Sequence, residues 1–241
     1  MIAGLINSLR PKQWTKNLLV FAGYLFTIQQ GHSSEVLLRV VAGFGLFCAV
    51  SGAGYIVNDA MDAERDRGHP RKCKRPIASG VVPIPVAVVF GALLLTASLW
   101  ASFRLNVDFG KLISAYLVLT LAYSISLKHV VIVDLLAITA GFVIRAVAGA
   151  VVIGVRISPW LLACTTLLAL FLGLAKRRSE LVALENGFEH RRTLGEYSAP
   201  MLDQMLTISA STSLMAYFLY TFSPSPITGE THPMMMATVP F

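Results

Sequence analysis

The stretch Asn58-Asp59-Ala60-Met61-Asp62-Ala63-Glu64-Arg65-Asp66 closes a long apolar run and holds four of only 13 acidic residues in a chain of 241. Continued as one helix, with Asp59 at zero, it puts Asp62 at about −60° and Asp66 at about −20°. Three carboxylates then share a face, Asn58 flanks it at about −100°, and Glu64 points nearly opposite at about 140°. Like charges on one helix face repel unless a cation sits among them. Hard oxygen ligands so spaced suit Mg2+, which commonly takes one or two carboxylates together with substrate phosphates. The plainer reading is a solvated helix end neutralised by Arg65 and Arg67, and it leaves the shared face unexplained. The expectation for Asp59, Asp62 and Asp66 is therefore a divalent-metal site that binds together with substrate phosphates.

Directly downstream, HPRKCKRPIASG supplies Arg71, Lys72, Lys74 and Arg75 ahead of Pro76. Cations beside a metal–carboxylate site are what a diphosphate requires, although the same run would serve equally as a topogenic signal. A second polar cluster reads LAKRRSELVALENGFEHRRTLGEY. On one helix Lys176 and Glu180 form an i,i+4 pair, with Arg177 about 100° away. This cluster has no triple-aspartate face, so it suits direct contact with phosphate groups; its plainer reading is a basic anchor laced with salt bridges. Between the clusters, VIVDLLAITAGFVIRAVAGAVVI contains Asp134 and Arg145. Charges inside an apolar span usually face a polar cavity or a partner. The two lie on nearly the same face but about 16 Å apart along the axis, so each needs a partner of its own. Tyr123, Ser124 and Lys128 extend the same polar floor.

The elements that must position these residues are membrane spans. The chain is 55% apolar and 14% charged, with mean hydropathy +0.67, whereas a soluble domain carries about 25% charged residues. Apolar runs near 14–28, 36–57, 82–103, 112–127, 131–153, 159–175 and 204–222, with an eighth beginning near 234, approach the roughly 20 residues that cross a bilayer core. The fold class expected is all-α, a multi-span transmembrane helical bundle forming a single membrane domain over 1–241. With the N-terminus in the cytoplasm, fifteen of the 20 Lys and Arg residues fall on the cytoplasmic side and four on the other, with Arg145 inside a span. That asymmetry obeys the positive-inside rule, puts both polar clusters on the cytoplasmic face, and calls for no nucleic acid. The first residues show no small-residue cleavage site after an apolar core, so no cleavable leader is expected. Cys48, Cys73 and Cys164 are too scattered to suggest a disulfide framework or a zinc site.

The motifs LRPKQWTKNLLVFA, NDAMDAERDRGHPRKCKRPIASG, YSISLKHVVIVD with GFVIRAVAG, and LAKRRSEL with HRRTLGEYS resemble the UbiA-type intramembrane prenyltransferase superfamily over essentially the whole chain. Within it they are similar to the decaprenyl-phosphate phosphoribosyltransferases. The resemblance implies that Asn58, Asp59, Asp62 and Asp66 stand where the superfamily's first aspartate-rich motif binds Mg2+-diphosphate. It implies a transferase moving 5-phosphoribosyl from phosphoribosyl diphosphate to a polyprenyl (decaprenyl) phosphate, in the supply of cell-wall arabinan precursors. The setting implied is a bacterial inner membrane with the active site on its cytoplasmic side.

Substrate-binding candidates are Lys16, Asn17, Asn58, Lys72, Arg75, Tyr123, Lys128, Asp134, Arg145, Lys176, Arg177 and Glu180. Aromatic prenyltransferases of the superfamily carry a second aspartate-rich motif where this chain has Lys176-Arg177-Arg178-Ser179-Glu180, which fits substrates that keep their phosphates. The superfamily typically has nine spans, so a chain ending as an eighth begins is expected to lack the last one or two helices. A homo-oligomer is compatible with the same topology. Two rival readings are prenyl transfer from a prenyl diphosphate to an aromatic or other acceptor, and a membrane transporter. Transporter sites tend to lie at the midplane between broken helices, whereas most acids here cluster at helix ends.

Overall fold

The structure, a computed structural model, describes residues 1–28, 31–70, 72–185 and 196–223, and every regular element among them is helical. In chain order these are α1 (Ile2–Ser8), a 3-10 segment (Pro11–Phe21), α2 (Ala22–Phe26), α3 (Ser34–Met61), α4 (Ala63–Arg67) and a 3-10 turn (Lys72–Lys74). There follow α5 (Ile84–Leu105), α6 (Val107–Ile125), a 3-10 turn (Leu127–His129), α7 (Val133–Val152), α8 (Pro159–Glu185) and α9 (Ala199–Phe222). Six of them, α3 and α5 to α9, are long and apolar enough to cross a bilayer. They match the expected spans from 36–57 to 204–222. The expected span at 14–28 is helical but divided between the 3-10 segment and α2. With three residues per turn, Asn17 and Val20 stack on one edge, and both are buried. The eighth expected span, from 234, lies outside the described residues.

The chain forms two compact units, one of residues 1–124 and 144–156, the other of 125–143 and 157 onward. In the first, α3 packs against α5 and against the 3-10 segment. Its core gathers Val20, Val40, Val50, Ile113, Ala148 and Val152 around Phe47. The Phe47 ring meets Phe109 and Tyr116 edge-on at 5.8 and 5.5 Å between centroids, the geometry favoured by the ring quadrupole. A single residue, Asn106, joins α5 to α6 in an extended conformation (φ −164°, ψ 133°). Its Oδ1 accepts the Phe109 N–H at 3.0 Å, capping the start of α6. So abrupt a reversal presses Gly110 onto the Phe103 ring, where a Cβ would stand 2.6 Å from a ring carbon.

Among the described glycines of this unit the tightest backbone approach is at Gly149, where a Cβ would collide with the main-chain carbonyl of Val20. Backbone, unlike a flexible side chain, cannot swing aside. Gly149→Ala is therefore expected to destabilise the protein by about 2 kcal/mol, within the range for overpacking a tight core. Thermal unfolding in detergent would check this, with Gly45→Ala, which meets open space, as the mild comparison.

In the second unit α8 and α9 lie along one another, and Leu135, Leu174, Tyr197 and Leu202 form the core. Ser198 caps α9, its hydroxyl accepting the Met201 N–H at 3.3 Å, with Pro200 in the first turn. Outside both cores, large apolar side chains such as Leu93, Trp100, Val118 and Ile208 are each more than 60% exposed. Water would penalise that surface and lipid does not. The chain is an integral, multi-pass membrane protein.

Candidate active site

The first unit collects its acids where α3 ends. The helix expected to continue through Asp66 breaks at Asp62 (φ −94°, ψ 3°), and α4 restarts at Ala63. The break carries the chain on through two bonds, Asp62 N–H to the Asn58 carbonyl (3.0 Å) and Asp66 N–H to the Asp62 carbonyl (2.8 Å). Asp59 and Asp66, 3% and 2% exposed, are brought together. Arg75 Nη1 lies between them, donating to Asp59 Oδ1 at 3.1 Å and to Asp66 Oδ2 at 2.6 Å. Asp62 is not part of this pair: its side chain is 40% exposed and stands 3.5 Å from Arg65. The expected face of three carboxylates is thus corrected to a buried pair, because the helix that would have phased all three is interrupted at the middle one. Among the described residues no three His, Cys, Asp or Glu side chains are grouped as a metal site. Glu64, expected to point away from the acids, is exposed at the start of α4.

A residue absent from the sequence-based candidates completes the pair. Arg10 Nη2 donates to Asp59 Oδ1 at 2.5 Å, and its guanidinium carbon lies 4.7 Å from the Tyr55 ring centroid. Arg10 adopts a left-handed backbone (φ 53°, ψ 63°), an uncommon conformation for a residue with a Cβ. The arginine was visible in the RPKQW stretch, but its partner lies 49 residues on.

The RPIASG segment places Arg75. Ile77 plugs a small core with Ile56, Ala63, Val82 and Ala87, and Ala78 next to it is also buried. Arg67 Nε donates to the Ala78 carbonyl at 3.3 Å, and the turn closes through Ser79 N–H to the Arg75 carbonyl (2.8 Å) and Val82 N–H to the Pro76 carbonyl (2.9 Å). Gly80, at φ 80°, supplies the left-handed position of that turn.

The donor set fits a hard divalent ion. Both groups are carboxylates, they already share a cation, and Asp59 Oδ2 and Asp66 Oδ1 take no hydrogen bond from a described residue. Asp59 and Asp66 are the side chains that would hold Mg2+.

A polar stripe runs from Asp59 along α3 through Tyr55, Ser51 and Cys48, spaced at helical intervals. Asn17, 1% exposed, joins it, donating to Ser51 Oγ (3.2 Å) and Cys48 Sγ (3.3 Å). Its Oδ1 accepts from Arg145 Nε at 2.8 Å, and Arg145 Nη2 donates to the Tyr116 hydroxyl at 2.7 Å. Asn17 and Arg145 are therefore one interior network. Asn58 donates to Ser124 Oγ at 3.1 Å, with Tyr123 half-buried beside it. Lys16 is exposed and Lys72 half-buried.

The second unit has its own cluster. Asp134 is fully buried and receives two bonds on Oδ2, from Arg177 Nε (3.0 Å) and Nη2 (2.9 Å). Arg177, 1% exposed, also donates through Nη1 to Glu180 Oε2 at 2.6 Å. Asp134 and Arg145 accordingly have separate partners, as their axial separation demands. Arg177 is an interior cation gripped by acids, while Lys176 is exposed and only 3.9 Å from Glu180. Lys128 is half-buried in the turn before α7. Arg71 and residues 186–195, the central part of the second sequence cluster, lie outside the described residues.

Tyr197 also went unforeseen. Its hydroxyl donates to Asp134 Oδ1 at 3.3 Å and accepts the Ile132 N–H at 2.9 Å. Burial holds the phenol above its ordinary pKa against the Ile132 bond, and the Asp134 carboxylate adds in the upward direction, so it stays a donor. Ile132 is a β-branched residue at φ 68°, a costly conformation that persists only where neighbours enforce it. Tyr197→Phe is expected to cost about 1–2 kcal/mol through the orphaned polar groups. Hydrogen exchange would show it as faster exchange at the Ile132 amide.

Apolar spans carrying buried acid–guanidinium clusters define a polytopic membrane protein, and comparison of its sequence assigns its class. Residues 17–183 match the UbiA prenyltransferase family, and the chain belongs to that family. Relatives include the decaprenyl-phosphate phosphoribosyltransferase of Mycolicibacterium smegmatis, 37% identical over 227 residues covering 92% of this chain and 71% of the relative. The protein of that name from Mycobacterium tuberculosis is 34% identical over 245 residues, covering 100% of this chain and 80% of the relative. Among solved structures, a UbiA homolog from Archaeoglobus fulgidus bound to GPP and Mg2+ superposes with a TM-score of 0.73 at 16% identity, over 98% of this chain and 84% of that one. At that identity the likeness speaks for the fold.

Proposed function

We propose that this transferase moves the 5-phosphoribosyl group of phosphoribosyl diphosphate onto a polyprenyl phosphate such as decaprenyl phosphate, releasing diphosphate. The observation that carries the reading is the 34–37% identity, over at least 92% of the chain, to relatives bearing that activity in their names. The chemistry of the first cluster supports it. Asp59 and Asp66 hold Mg2+, with Arg10 fixing Asp59, and Arg75 stands at the head of a basic loop suited to a diphosphate. When bound, Mg2+ offsets the negative charge that grows on the departing diphosphate. The acceptor phosphate is already anionic at neutral pH, so the reaction needs no dedicated general base. Lys16, Lys72, Lys128 and Lys176 are the cations for the phosphates that persist, and the apolar spans receive the lipid tail. A place in the supply of cell-wall arabinan precursors goes with this reading.

The test is an assay of purified protein in detergent. Labelled phosphoribosyl diphosphate with decaprenyl phosphate is expected to give a lipid-linked phosphoribose, dependent on added Mg2+. Turnover of a prenyl diphosphate with an aromatic acceptor, and none with phosphoribosyl diphosphate, would overturn the proposal. Orientation can be read separately. With the catalytic face on the cytoplasmic side of the inner membrane, Cys73 in the basic loop is expected to react with an impermeant maleimide in inverted vesicles and not in intact cells.

A further inference from the structure

The two arginines at the carboxylate pair are held differently. Arg10 is fixed from three directions: a left-handed backbone before Pro11, the Tyr55 ring under its guanidinium, and Asp59. It reaches only one of the acids. Arg75 reaches both through a single nitrogen, at the end of a loop whose backbone is pinned by Ile77, Ala78 and the Pro76–Val82 turn. The two side chains are equally exposed, 30% and 29%, but only Arg10 has a ring beneath its guanidinium among the described residues; Arg75 is held by the acids alone.

One guanidinium nitrogen therefore occupies the point on which two buried carboxylates converge. A hard divalent ion is drawn to the same two carboxylates, and it binds carboxylate oxygen at about 2.0–2.1 Å. With Nη1 within 3.1 Å of Asp59 and 2.6 Å of Asp66, an ion on the open oxygens of the pair would stand close to the guanidinium, two like charges in a buried site. Without Arg75 the two acids would be left close together with Arg10 as counter-charge on one side only, an arrangement costly in a buried site.

The geometry points to an exchange: Arg75 bridges Asp59 and Asp66 in the metal-free enzyme, gives up that bridge when the divalent ion enters, and turns its freed guanidinium to the diphosphate. The resting cluster is thereby neutral, and the cation that leaves the acids arrives where anionic charge has been added. This assignment rests on Asp59 and Asp66 holding the metal, as in the proposed function, but not on which group is transferred. It predicts opposite signs for one substitution. Loss of Arg75 removes a competitor for the metal and a ligand for the diphosphate.

The experiment uses full-length protein in detergent, with Mn2+ followed by its electron paramagnetic resonance signal and inorganic diphosphate as the anion, and no lipid or sugar substrate. Arg75→Gln is expected to bind Mn2+ about tenfold more tightly than wild type, and to bind diphosphate about tenfold more weakly at saturating Mn2+. Arg10→Gln makes the same charge change beside Asp59 without removing the bridge, and is expected not to tighten Mn2+ binding. Asp66→Asn is expected to weaken it. Equal tightening in both arginine variants would reduce the effect to net charge and overturn the exchange. So would unchanged or weaker Mn2+ binding in Arg75→Gln. A phosphoribosyl-transfer assay that failed while these signs held would sink the proposed reaction and leave the exchange standing.

Discussion

Replacing Asp66 by Asn is expected to lower turnover by about three orders of magnitude, equivalent to roughly 4 kcal/mol of transition-state stabilisation. The carboxylate is buried, faces Asp59 across Arg75 at 2.6 Å, and supplies an oxygen that no described residue occupies. An amide there keeps the shape and loses the charge that a divalent ion and its departing anion depend on. Asp59→Asn should fall as far, since Asp59 anchors Arg10 as well. Asp62→Asn should fall less, by about tenfold, because its side chain is 40% exposed and outside the pair. Glu64→Gln, on an exposed position, is expected to stay within about twofold. Initial rates at saturating Mg2+, with folded state verified by gel filtration, distinguish the order. Equal losses at all four positions would mean that the acids act as a diffuse charge rather than as a built pair.

The largest stability effect is expected in the other unit. Asp134→Asn leaves Arg177, 1% exposed, without its fork onto a fully buried carboxylate. Breaking a buried pair from one side costs about 3–5 kcal/mol, and for a chain of this length that lowers the melting temperature by roughly 6–20 °C. Arg178→Gln is the control. Its partner Asp203 is 54% exposed, and the pair stands at 2.7 Å, so its loss is expected to leave the melting temperature nearly unchanged. Intrinsic fluorescence during thermal unfolding in detergent reads both. A drop with Arg178→Gln as deep as with Asp134→Asn would show that exposure does not govern these ion pairs.

Much of the fold is legible in the chain itself, because a bilayer imposes its thickness on the sequence. The runs at α3 and α5 to α9 were visible as apolar lengths, and each proved to be one helix. The 14–28 stretch has the same composition but resolves into a 3-10 segment and a short helix, since hydropathy records polarity and not the pitch of the backbone. Glu64 is exposed as expected, and helical spacing told Asp134 and Arg145 to find different partners. It failed at Asp62, where the ladder bends within a few residues and the third acid swings out. Nothing local marks such a bend. The partners that matter most were the least legible: Arg10 meets Asp59 across 49 positions, Tyr197 meets Asp134 across 63, and Arg177 meets Asp134 across 43. Charge type advertised that these residues needed company, and only the packing of the helices could say whose.

The order in which the first cluster is encoded has a consequence for how the protein is made. Arg10, Asp59, Asp66 and Arg75 all lie within the first 75 of 241 residues. The ribosome has therefore delivered every member of this four-membered knot while about two thirds of the polypeptide is still unwritten, and chains order themselves from the N-terminal side as they emerge. Its two positive and two negative members can cancel before the later hairpins reach the insertion machinery, so the acids never have to wait bare at the lipid boundary for help from the distal half of the chain.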